Sequence, residues 1–104
     1  MSKTVEAVKL YQAAESALWS WNMREENKKS QIGDCEASEL AEAIVSGWDR
    51  MPTANTPQAL LDSMHKAVIE VLTIKANVNP TDPTLPRGKE IEWVARMVIK
   101  NYWM

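Results

Sequence analysis

Glu36, Glu39 and Glu42 follow one another at intervals of three, a spacing that gathers carboxylates on one side of a helix. Oxygen ligands arranged in this way suit Mg²⁺, which accepts carboxylates and keeps several of its waters. The same charges also suit a task without chemistry. With Asp49, and with no basic residue between Asp34 and Asp49, they make an acidic face that fits a basic surface on a partner. A helix macrodipole favours carboxylates in its first turn, so their presence alone does not demand a ligand.

The other reactive side chains are few. Cys35 is the one cysteine and His65 the one histidine, which excludes a disulfide framework, multi-cysteine zinc sites and multi-histidine metal cages. A cysteine–histidine nucleophilic pair needs the two side chains within hydrogen-bond reach and a third group to orient the imidazole. On a helical wheel His65 falls at the rim of an apolar stripe, where a structural role suffices. No two glycines lie within ten residues of each other, so there is no glycine-rich phosphate loop. No catalytic residue and no cofactor is assigned.

The stretch Glu36-Ala37-Ser38-Glu39-Leu40-Ala41-Glu42, with Trp48 beyond it, resembles a fragment of the all-α nucleoside triphosphate pyrophosphohydrolases. That family places Glu-Glu-x-x-Glu on one helix and Glu-x-x-Asp on a later one. The resemblance implies Mg²⁺-dependent hydrolysis of a nucleoside triphosphate, with Glu36, Glu39 and Glu42 as metal ligands. It covers one short helix. Cys35 stands where the first glutamate of the motif would be, and the later acidic pair is missing: Asp62 is followed at that spacing by His65, and Glu70 by Thr73.

Charge argues against direct nucleic-acid reading. The net charge is −2, and the most basic segment sets Arg87, Lys89, Arg96 and Lys100 against Glu90 and Glu92. A helix-turn-helix would use the segment bearing Asp62, Lys66, Glu70 and Lys75, whose charges cancel. The aromatic set is unusual: five tryptophans, two tyrosines and no phenylalanine. Trp21 and Trp48 are expected in the core. Trp19 and Trp103 are the better candidates for an interface, because an indole buries a large area with few rotors.

Four amphipathic segments must position these groups. Prolines occur only at 52, 57, 80, 83 and 86 and glycines only at 33, 47 and 88, leaving helical periodicity between them and no sustained strand alternation. The spacing predicts helices over 4–26, 35–49, 57–76 and 87–102. Val8, Leu10, Tyr11, Ala14, Ala17, Leu18, Trp19 and Trp21 share a broad side of the first. Asp34 is the expected N-cap of the second. Thr56-Pro57, a cap followed by proline, opens the third, whose stripe includes Leu60, Leu61, Met64, Val68, Leu72 and Ile74. Three prolines make the connector 79–86 stiff and extended. With 104 residues, the chain is expected to form one all-α domain resembling a four-helix bundle, closed by itself or completed by self-association.

The expectation is a small, non-catalytic protein of the cytoplasm, since no secretory or membrane-spanning segment is evident. It acts as an adaptor, regulator or inhibitor of a larger, nucleic-acid-handling machine. Its partner is a protein with a basic surface, met by Glu36, Glu39, Glu42, Asp49, Trp19 and Trp103. The alternatives are the Mg²⁺-dependent hydrolase and an oligomeric structural component built as a homo-oligomer.

Overall fold

Local start and stop signals account for most of the helix boundaries. The structure, a computed structural model, describes residues 4–24 and 31–103. It contains α1 (Thr4–Asn22), α2 (Asp34–Asp49), α3 (Pro57–Val78) and α4 (Lys89–Trp103), with no strand among the described residues. At the start of α3 the Thr56 hydroxyl accepts from the Ala59 amide at 3.0 Å, and Pro57 occupies a position where no N–H is needed.

Three boundaries differ from the sequence expectation, and each has a side-chain cause. First, α1 stops at Asn22, because the Asn22 amide is captured by Ile32: Nδ2 donates to the Ile32 carbonyl and Oδ1 accepts from its N–H, both at 2.8 Å. Residues 25 and 26, also expected in this helix, lie outside the described residues. Second, Asp34 is the first helical residue and Gly33 the N-cap, its amide donating to Glu36 Oε2 at 2.8 Å. Third, α3 continues to Val78 and α4 begins only at Lys89. The Arg87 guanidinium donates to the carbonyls of Ala76, Asn79 and Asp82, tying the end of α3 to the connector. The connector therefore turns back on itself instead of extending, and Gly88, at φ +55°, takes the left-handed step into α4.

Polar contacts fix an up-down-up-down order. Glu15 of α1 accepts from Ser38 of α2, and Trp48 of α2 donates to Ser63 near the start of α3. Trp21 near the end of α1 donates to Glu90 at the start of α4, whereas Asn101 at the far end of α4 donates to the Ala13 carbonyl. Each helix thus runs antiparallel to its neighbour, and α4 returns beside α1. The core closes within one chain: Leu10, Leu18, Ile44, Met64, Val68, Leu72, Val94 and Val98 are buried between the helices. Ala14, Ala17, Ala41, Ala67 and Ala95 let the backbones approach and leave room for Trp21 and Trp48. Gly47 serves the same end, since a Cβ there would stand 3.2 Å from the Val71 side chain. No described helix is long and apolar enough to cross a membrane.

Candidate interaction surface

The tryptophans divide as their spacing suggested. Trp21 and Trp48 are 2% and 3% exposed, whereas Trp19 and Trp103 are 52% and 69% exposed. Each buried indole spends its N–H inside the molecule, on Glu90 Oε2 at 2.8 Å and on Ser63 Oγ at 3.0 Å. The two exposed indoles do not share a face. Trp19 lies near the end of α1, two residues before Trp21 and therefore level with the start of α4. Trp103 closes the opposite end of α4, about 20 Å away along the axis at 1.5 Å per residue.

Trp19 belongs instead to a stripe on its own helix. Val5, Val8, Trp19 and Met23 are each more than half exposed, and Gln12 and Ser16 stand exposed between them. Positions 5, 8, 12, 16, 19 and 23 advance by threes and fours, so they run along one outward face. Met23 stays in register because its amide donates to the Trp19 carbonyl at 3.1 Å, one helical step beyond the end of α1. None of the six carries a charge. Scattered exposed hydrophobics are ordinary on a protein surface, but four on one helix face make a continuous apolar ridge. Sequence reasoning grouped Val8 with the core side of α1 and left Val5 and Met23 out. The period was present, but the broader buried stripe obscured it. Ile74, also expected in a buried stripe, is exposed as well.

The acidic residues of α2 all reach solvent, yet they do not act as one group. Glu36 is turned back onto the start of its own helix, where its carboxylate accepts from the Gly33 amide. Glu39 and Glu42 have no hydrogen-bonding or ionic partner among the described residues. Asp49 is exposed at the other end of α2, about 15 Å from Glu39 along the helix. Glu42 stands one turn beyond Ser38, and Ser38 donates to Glu15 of α1 at 3.0 Å. The carboxylates therefore border the seam along which α2 meets the helix carrying the apolar ridge.

Space also supplies a base that linear sequence did not. Lys75 of α3 shares a hollow of about 230 Å³ with Glu36, Glu39 and Asp82. The Thr84 hydroxyl and then the Thr84 amide, both donating to Asp82, hold its carboxyl below the usual carboxylate value, and Arg87 adds to this against the opposing effect of burial. Even so, among the described residues no three histidine, cysteine, aspartate or glutamate side chains are placed to hold a metal ion. The set of Glu36, Glu39 and Glu42 does not converge on one point. Cys35 is an exposed thiol at the start of α2, while His65 lies two turns into the antiparallel α3, toward the other end of the bundle.

Neither protein-family models, nor curated proteins, nor solved structures give a match to this chain. The resemblance of residues 36–42 to the pyrophosphohydrolases thus stands on that short segment alone. The surface is interpreted from its own residues.

Proposed function

We propose that this chain is a non-catalytic helical interaction protein, an adaptor, regulator or inhibitor whose contact face is the outward side of α1. The observation that carries the proposal is the uncharged ridge Val5, Val8, Trp19 and Met23. Burying each such side chain contributes about 1.5–3 kcal/mol, and tryptophan is the residue most often found at the energetic centre of an interface. Charge selects the occupant. Glu39 and Glu42 flank the ridge on the α2 side, so the fitting partner is a protein with an apolar groove rimmed by lysine or arginine. A second copy of this chain offers no such excess of bases, its net charge being −2.

Affinity capture with four forms of the protein tests the proposal: wild type, Trp19→Glu, the pair Glu39→Lys with Glu42→Lys, and Trp103→Glu. All substituted positions are exposed, and circular dichroism checks that each variant folds. The expected result is one set of captured proteins shared by wild type and Trp103→Glu and lost from the other two. Identical capture by all four forms contradicts the proposal. A doubled mass in light scattering, abolished by Trp19→Glu, would transfer the ridge to self-association.

A further inference from the structure

The end of the bundle away from the two long connectors holds a pocket of about 270 Å³. Glu6 of α1, Trp48 of α2, Ala54 and Thr56 of the α2–α3 loop, and Pro57 and Leu60 of α3 line it. Its walls are mainly carbon. The Trp48 N–H is turned to Ser63 Oγ, so that indole offers ring surface. Against these walls stands one carboxylate. Glu6 Oε2 is shielded from solvent and has no hydrogen-bond partner among the described residues. The next basic residue on the helix, Lys9, is placed with its Nζ 4.6 Å over the ring of Tyr102. An ionised oxygen taken out of water without a partner is costly, and a cation placed in the pocket would offset that cost.

The helix end that borders the pocket does not favour an anion. Pro57 has no N–H, and the Ala59 amide is already taken by the Thr56 hydroxyl. Glu6 would also repel a negative group. A carboxylate, an indole surface and apolar walls are together the recognition chemistry of an organic cation.

We infer that this pocket binds an ammonium or guanidinium group carried on a short apolar body, with Glu6 as the counter-ion and Trp48 as the aromatic wall. Its volume lies just below the usual range for small-ligand sites, so it admits one group of side-chain size. That chemistry is shared by a free arylalkylamine and by the arginine side chain of a peptide. The inference is independent of the α1 ridge, which lies on another face.

A ¹H–¹⁵N NMR titration tests it with three probes: phenethylammonium chloride, Nα-acetylarginine amide, and 2-phenylethanol as the neutral counterpart of the first. The expected result is saturable shifts at Glu6, at residues 54–60 and at the Trp48 indole N–H, with a Kd of about 1 mM for at least one cation. The alcohol should bind about tenfold more weakly. Glu6→Gln, which keeps the side chain's shape, should abolish the preference for the cation, and Ala54→Trp should block entry. Saturation by the amine alone assigns the site to a free amine; saturation by the arginine amide alone assigns it to a peptide. The inference is overturned if neither cation shifts these signals, if the alcohol binds as well as the amine, or if Glu6→Gln binds both cations unchanged.

Discussion

The two ends of the bundle are built on opposite plans. At the end where α1 meets α2 and α3 meets α4, polar groups are matched in pairs: Trp21 with Glu90, Asn22 with Ile32, Arg87 with three carbonyls, and Asp82 with Thr84. At the other end a carboxylate oxygen has no hydrogen-bond partner, a pocket opens beside it, and the loop 50–56 is held mainly through its cap. Matched groups stabilise, because leaving any one of them unpaired in a dry site carries the full desolvation penalty. An unmatched group in a pocket is a place where a ligand can contribute what the fold does not. Stability and binding capacity are therefore expected at different ends of one small protein.

Substitutions at the two ends should differ in size. Trp21→Ala removes a buried indole and leaves Glu90 without its donor; a loss of about 3–5 kcal/mol in urea unfolding is expected. Arg87→Ala strips three carbonyls of a charged donor and should cost about 2 kcal/mol, read in the same way. Glu6→Gln, at the open end, should change stability by less than about 1 kcal/mol in either direction. If it destabilises as much as Arg87→Ala does, the two ends are not different in kind.

The pH response sharpens the same contrast. Burial, and then the charge of Glu6, raise the Tyr102 phenol above its usual value of 10.0. The folded state therefore holds that proton more tightly than the unfolded chain does. Its contribution to stability is complete below pH 10 and is lost as pH rises from there through the folded pKa. Thermal melts should show this alkaline loss in wild type but not in Tyr102→Phe, and Glu6→Gln should bring the phenol titration at 295 nm to lower pH. Asp82 behaves in the opposite sense. Its lowered pKa gives stability present above 3.8 and lost as pH falls further, an effect that Thr84→Ala should reduce.

Much of the architecture was legible in the residues, and the reasons are local. Thr56-Pro57 marked the start of α3 to the residue, because cap and proline act within one turn. Trp21 and Trp48 could be assigned to the core, and Trp19 and Trp103 to the surface, from their positions and the limited room in so small a core. What escaped depended on distant partners. Asn22 ends α1 by binding Ile32, ten residues away, and Arg87 sets two boundaries through carbonyls on a preceding turn. Lys75 faces the α2 carboxylates only because α3 packs beside them. The ridge from Val5 to Met23 lay within reach of a wheel, yet which side of so broadly apolar a helix faces solvent is decided by where α2 and α4 sit.

The α1 ridge can be tested by oxidative side-chain footprinting of the protein free and bound to the partner that it captures. Trp19 and Met23 should lose most of their labelling on binding, while Trp103, equally oxidisable and more exposed, keeps its own. Protection of Trp103 with Trp19 and Met23 unchanged would contradict the proposed face.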